Sequence, residues 1–384
     1  MPLLSIVRFL ATLLSLLVLG IAAYLLWTWY QGDDVLLADG SLVRVREDWR
    51  LWVPLLLLAF AFVGRPLMLL LLAGPDSGEP SKPDRGAGQV VGGANGARLY
   101  VEQLGRSDGA PVILTHGWAM DSTIWHYSKL ALAKDFKVIV WDLPGMGKSS
   151  GEISLESFAR NLAVLVEQQA PQRVVLVGHS IGGMTVQTLA RDMPELFSSR
   201  VAGAVLVNTT YTNPLKTMIL SGLAQALRRP VLEPVMRLII HLQPVAWLGV
   251  WMSYLNGTAH MTNRLAFGKY VTRSQLEHTT LLTTRNPPGN MQKGNLAMFR
   301  WDATGALAKP EVPLHILAGA VDVVTKPEAS QSIAQQCGAS LRVIEGCNHM
   351  GFLEGHDDYN REIVAFAKQA TRPASLKGGS SVPS

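Results

Sequence analysis

Apolar and polar positions divide the chain into unlike regions. From Phe9 to Tyr30 (FLATLLSLLVLGIAAYLLWTWY) no charged residue occurs over 22 positions. As a helix this run is about 33 Å long, against a hydrocarbon core of about 30 Å, so it predicts a membrane-crossing helix. Arg8 precedes it, and Trp27, Trp29 and Tyr30 gather at its far end, where amphipathic rings settle among headgroups. The alternative is a cleaved signal peptide. The run exceeds the usual signal length, however, and no small-x-small site closes it. A second apolar stretch, Leu51 to Gly74, is interrupted by Arg65 and Pro66, and its first half alone is too short to cross. Taken whole it predicts the return arm of a helical hairpin, with a re-entrant or interfacial helix as the alternative. Residues 1–74 therefore read as a membrane segment of one or two helices.

Residues 75–87 lie in GPDSGEPSKPDRGAGQ, the composition of a solvated linker, and the tail 371–384 reads the same way. Between them, residues 88–370 alternate short β-rich runs with amphipathic stretches. This is the pattern of an α/β domain with a mainly parallel sheet covered on both faces. The predicted strands are ARLYVEQ, PVILTH, KVIVWD, RVVLVG, AGAVLVN, PLHILAG and LRVIE. In SLESFARNLAVLVEQQ, Leu155, Phe158, Leu162, Leu165 and Val166 recur at helical spacing. From about residue 210 to 308 the pattern is helical and rich in Trp, Met, Leu and Pro, too long for a plain crossover. It predicts an inserted cap.

Of the 384 residues only 16% are charged, against a usual figure of about 25%, and 48% are apolar, which agrees with contact to lipid. The net charge of +5 comes from 34 basic and 29 acidic residues with no dense basic run, so no nucleic-acid partner is expected, and no protein partner is inferred. The basic residues leave membrane orientation open. Arg44, Arg46 and Arg50 lie between the apolar runs and Arg8, Lys82 and Arg85 outside them. The cytoplasmic side is the favoured expectation for the soluble domain. Cys337 and Cys347 flank a predicted strand and read as free thiols.

The chemistry lies at strand ends. RVVLVG runs into His179-Ser180-Ile181-Gly182-Gly183, so Gly178-x-Ser180-x-Gly182 sits between a strand and the helical MTVQTLARDM, the context of a nucleophile elbow. A serine hydroxyl needs a base, and the base needs a carboxylate to hold its tautomer. Asp322 follows the strand PLHILAG and His349 follows LRVIE, which places Ser180, Asp322 and His349 at the carboxyl ends of strands along one sheet edge. Asp302 precedes its strand and is the weaker acid candidate. His356 and Asp357 read as the start of the last helix. His126, His241, His260, His278 and His315 read as surface or core residues. The backbone N–H groups of Trp118, in the loop His116-Gly117-Trp118, and of Ile181 are the predicted oxyanion donors, with His116 orienting the loop. No metal-ligand spacing occurs, and neither a metal nor a cofactor is expected.

The HGW loop, the run DLPGMGKS from Asp142 to Ser149, GHSIGG, GAVD and NHM together resemble the α/β-hydrolase superfamily over roughly residues 88–370. Within it the chain is similar to the branch of serine esterases, lipases and cofactor-free haloperoxidase-like proteins. The resemblance implies an α/β-hydrolase fold and a Ser180, Asp322, His349 triad. It also implies a structural role for Asp142, Gly145, Gly147 and Ser149 in shaping their loop. Serine rather than aspartate at the elbow disfavours epoxide hydrolase and dehalogenase chemistry. The expected activity is hydrolysis of a lipophilic carboxylic ester or lipid by a membrane-held enzyme. The alternatives are haloperoxidase or perhydrolase activity with the same triad, and a non-catalytic, membrane-tethered ligand-binding protein.

Overall fold

All seven runs read as strands form strands in the computed structural model, which describes residues 2–169, 171–308 and 310–372. They are β4 (Arg98–Gly105), β5 (Pro111–Thr115), β6 (Lys137–Trp141), β7 (Val174–His179), β8 (Val201–Val207), β9 (Leu314–Gly319) and β10 (Ser340–Ile344). An eighth, β3 (Gly88–Gly92), pairs antiparallel with β4 at the edge. Its sequence GQVVG is short, glycine-rich and largely exposed, so it lacks the apolar run that marks the others. The sheet order is β10-β9-β8-β7-β5-β6-β4-β3, parallel throughout except for β4 and β3. A separate hairpin, β1 (Asp33–Leu36) and β2 (Leu42–Val45), lies near the N-terminus.

Successive side chains of a strand face opposite sides, and a parallel strand covered on both faces must be apolar throughout. In β5, Ile113 joins one core layer while Val112 and Leu114 join the other. The Ile113 layer is completed by α4 (Leu155–Glu167), α5 (Ile181–Asp192), α6 (Pro194–Arg200) and α14 (Pro327–Cys337), through Phe158, Leu189, Phe197 and Ile333. The opposite layer takes Leu132 of α3 (His126–Leu132), Phe352 of α15 (Gly351–Glu354) and Ile363 of α16 (His356–Ala370). The α4 stripe read from the sequence is buried as spaced, and Ser154 caps the helix by accepting from the Ser157 N–H at 3.1 Å.

The insertion between β8 and β9 is helical. It comprises α7 (Pro214–Thr217), α8 (Ser221–Leu227), a π-helical turn at Arg228–Leu232, α9 (Glu233–His241), α10 (Gln243–Leu255), α11 (Thr258–Arg264), α12 (Arg273–Arg285) and α13 (Pro288–Met298). At the N-terminus α1 (Pro2–Gln31) and α2 (Trp49–Leu72) pack on each other, and both also contact α10. Leu13–Gln31 and Trp49–Leu72 are long and apolar enough to cross a membrane.

The break expected at Arg65 and Pro66 does not occur: α2 runs unbroken through Pro54 and Pro66. Arg65 reaches out of the helix to the cap, where its Nη1 donates to the Tyr254 hydroxyl at 2.6 Å and pairs with Glu277 at 3.0 Å.

Residues 75–87 contain no helix or strand, yet the segment is more than a solvated spacer. Ser81 is buried, and Arg85 pairs with Asp121 at 2.7 Å and Asp142 at 3.0 Å. Composition missed this because the partners are carboxylates buried far along the chain. Cys337 and Cys347 are free. In the expected tail, residues 373–384 lie outside the described residues.

Candidate active site

Three strand ends converge at one edge of the sheet. Ser180 follows β7 directly and holds φ at +54°, a region that side chains other than glycine rarely adopt. Its N–H donates to the Val207 carbonyl at 2.9 Å, which ties the strained turn to β8. The flanking glycines are demanded by contact. A Cβ at Gly178 would lie 2.5 Å from the Gly182 carbonyl carbon, and one at Gly182 would collide with the Thr115 carbonyl oxygen. A tight strand-to-helix turn of this kind lifts the serine hydroxyl clear of its own backbone.

His349 reaches it from the loop after β10, with Nε2 3.1 Å from the Ser180 Oγ and Nδ1 3.0 Å from the Asp322 Oδ2. A carboxylate accepts only, so Nδ1 carries the proton and the Nε2 lone pair faces the serine hydroxyl. Asp322 receives five donors. The Val324 and Thr325 N–H groups reach Oδ1 at 2.7 and 2.9 Å. The Asn208 Nδ2, Thr325 Oγ1 and His349 Nδ1 reach Oδ2 at 3.0, 2.9 and 3.0 Å. Asp322, His349 and Ser180 thus form one hydrogen-bonded line.

Trp118 and Ile181 flank it. Ile181 opens α5, where a first-turn N–H has no intrahelical partner. Trp118 lines the same cavity as Ser180 and His349. His116 donates from Nδ1 to the Gly117 carbonyl at 2.8 Å and accepts the Leu143 N–H on Nε2 at 3.0 Å. Full burial pushes its pKa down, with Asp142 opposing. The Gly117 C=O and Trp118 N–H belong to one planar peptide and point opposite ways, so the His116 bond fixes where that N–H aims. Asp142 in turn accepts the Ser122 and Lys148 N–H groups, both at 2.8 Å, binding its loop to the HGW loop.

The remaining candidates lie elsewhere. Asp302 is exposed and accepts from Thr212. His356 begins α16 and stacks on Tyr127, and Asp357 is exposed beside it. His126, His260 and His315 face Glu79, Glu277 and Ser340, respectively, His278 sits between Ser81 and Thr123, and His241 ends α9. Among the described residues no three of His, Cys, Asp and Glu gather in a way that could hold a metal ion.

Sequence reasoning passed over the residues behind the line. His179 is fully buried, its pKa is driven well below the usual value by burial, and its Nε2–H donates to the His349 carbonyl at 3.0 Å. Asn208, at φ +45°, also donates to the Asn348 carbonyl at 2.9 Å and accepts from the Tyr359 hydroxyl at 2.8 Å. Asn208 had a signal, a polar residue at the carboxyl end of an apolar strand. Tyr359 had none.

The cavity in front of Ser180 extends beneath the cap and is mostly apolar, walled by Met184, Ile239, Val250, Met291 and Phe299. Among the described residues no Asp, Glu, Lys or Arg lines it.

The alpha/beta hydrolase family matches residues 112–363. The pimeloyl-[acyl-carrier protein] methyl ester esterase of Nitrosospira multiformis is 27% identical over 286 residues, covering 70% of this chain and 98% of that protein. The enzyme of the same name from Pectobacterium carotovorum is 27% identical over 279 residues, covering 71% and 99%. Among solved structures, an esterase from Exiguobacterium antarcticum superposes with a TM-score of 0.60 at 20% identity, covering 73% of this chain and 99% of its own. A bromoperoxidase from Bacillus anthracis gives 0.57 at 20% identity, covering 73% and 100%. These two share the fold. On the family match, which spans well over half its length, the chain belongs to the alpha/beta hydrolase family.

Proposed function

We propose that the protein is a membrane-held serine hydrolase that cleaves a lipophilic carboxylic ester through an acyl-enzyme intermediate. The observation that carries this is the hydrogen-bonded line from Asp322 through His349 to Ser180, opening onto an uncharged apolar cavity. The names of the relatives from Nitrosospira and Pectobacterium, both methyl ester esterases, support the reaction class.

His349 Nε2 takes the Ser180 proton as Oγ bonds to the ester carbonyl carbon. The Trp118 and Ile181 N–H groups hold the oxyanion. The carbon–alkoxide bond then breaks, and the proton on Nε2 passes to the leaving oxygen. Water, deprotonated by the same nitrogen, attacks the acyl carbon, and Ser180 regains its proton as the acid departs. Asp322 stays ionised and holds the imidazole in the required tautomer. The apolar helices α1 and α2 hold this machinery at a membrane, where lipophilic esters concentrate.

The test is labelling by a fluorophosphonate probe and turnover of nitrophenyl esters by the full chain in detergent. Ser180→Ala abolishes both, and rates rise from acetate to longer acyl chains. Turnover retained in Ser180→Ala refutes the nucleophile, and strict preference for acetate refutes the lipophilic substrate.

A further inference from the structure

The wall of the cavity and the surface of the cap are the same helices. Ile239, Ala246, Val250 and Ser253 line the cavity from α9 and α10. On the outer side Leu238, Leu242, Val245, Leu248 and Trp251 are exposed. From Leu238 to Leu255 no Asp, Glu, Lys or Arg occurs. An exposed apolar face of this size on a single chain marks a surface made to be covered.

What covers it follows from how α10 meets the N-terminal helices. Asn256, just past the end of α10, donates from Nδ2 to the Ser15 Oγ of α1 at 3.1 Å, and its backbone lies against Gly64 of α2. Ser15 is six residues into the apolar run that starts at Phe9, about 9 Å along the helix. Gly64 is eight residues before the end of α2 at Leu72, about 12 Å from it. The start of α1 and the end of α2 lie on one side of an antiparallel pair, the side from which the chain leaves for the hydrolase domain. If that pair crosses the bilayer, a helix bound to it at both depths is already below the surface. Charged groups at the junction are paired: Arg65 with Tyr254 and Glu277, and Glu277 with His260 at 2.8 Å. This is the arrangement that groups excluded from water require. The chain between α8 and α10 also turns by 100° at Leu242, the form of a segment that enters and leaves by one face.

We infer that α9 and α10 are immersed in the leaflet next to the hydrolase domain, with lipid covering their outer face, so that the ester reaches Ser180 from the bilayer rather than from water. The inference rests on the serine-hydrolase reading for its substrate, but the immersion itself is measured separately.

The experiment uses the full chain in vesicles of phosphatidylcholine and phosphatidylglycerol. The part-exposed Cys337 is replaced (Cys337→Ser), the buried Cys347 is kept, and Leu248→Cys carries an environment-sensitive thiol fluorophore. Glu167→Cys, exposed at the end of α4, is the control. Immersion gives quenching at position 248 by spin-labelled lipid and protection from iodide, with the reverse at 167. A fluorophore at 248 open to iodide in a preparation that still takes the fluorophosphonate overturns the inference and leaves the hydrolase reading standing. Protection at 248 that grows with protein concentration and comes with crosslinked dimers also overturns it, in favour of a second copy. Normal lipid quenching with no fluorophosphonate labelling overturns the hydrolase reading instead. As an independent arm, Val245→Asp with Leu248→Asp, neither of which lines the cavity, preserves turnover of a short nitrophenyl ester in detergent. The same pair lowers turnover of a long-chain ester dissolved in vesicles at least tenfold. Equal rates on the vesicle substrate overturn lateral entry.

Discussion

The imidazole of His179 and the backbone of His349 are joined by a hydrogen bond of 3.0 Å, so the residue before Ser180 holds in place the loop that carries His349. His179 Nδ1 is buried without a partner among the described residues, so this is the ring's one hydrogen bond there, beside its packing on Trp125 and Phe352. His179→Phe keeps an aromatic ring and removes the donor. The carbonyl of His349 is then unpaired, at a cost of about 1–3 kcal/mol in stability. Displacement of the base lowers kcat about tenfold to a hundredfold, with KM little changed. Thermal unfolding and steady-state turnover of a nitrophenyl ester measure the two effects. Unchanged kcat removes the positioning role.

Asp322 faces five donors. In Asp322→Asn an amide NH2 must face some of them, and the tautomer of His349 is no longer enforced. Turnover falls by about 10³–10⁴-fold. Fluorophosphonate labelling slows in parallel, while the protein still unfolds cooperatively. A variant with near-normal rates moves the acid role elsewhere.

Arg85 lies between the Asp121 and Asp142 carboxylates, with Tyr100 against its guanidinium at 4.4 Å. Asp142 is wholly buried, so Arg85→Ala strands a charge away from water, a change worth about 3–5 kcal/mol. The denaturation midpoint in detergent drops accordingly, and Arg85→Lys, which keeps the charge without the fork, recovers only part of it. A shift below about 1 kcal/mol means that the segment 75–87 does not fasten to the domain.

His278 is held between the hydroxyls of Ser81 and Thr123, at 2.8 and 3.1 Å, and burial lowers its pKa to about 4. The fold therefore favours the neutral ring. The stability this contributes is complete above pH 6.5, the unfolded value, and is lost as pH falls towards 4. The total is about 3 kcal/mol. Melting temperature measured from pH 7.5 to 4 declines over that window in the native protein, and the decline is shallower in His278→Gln. Identical acid limbs assign the effect to other groups.

Local chemistry was legible in the sequence, and tertiary polar contact was not. The seven strands are apolar runs bounded by turns, and the elbow is five consecutive residues, so each is decided within its own segment. The approach of Ser180, Asp322 and His349 was legible because each lies within five residues of a strand's carboxyl end and a parallel sheet sends those ends to one edge. The supports for that line depend on contacts across 114 to 170 residues, such as Asn208 to Asp322 and His179 to His349. No local pattern encodes them. The interruption read inside α2 has a related origin: Arg65 looks like a break in a linear scan, whereas in the fold it leaves the helix for Glu277.

That ion pair bears on how the enzyme can be handled. Removing residues 1–74 to gain solubility takes Arg65 from Glu277 and Ser15 from Asn256, and strips the helix against which α10 rests. The trimmed protein would carry a bare greasy flank and a carboxylate short of a counterion beside the cavity in front of Ser180. The N-terminal helices buttress α10, which lines that cavity, rather than act as a leash, and a shortened form needs α10 resurfaced before its behaviour speaks for the native enzyme.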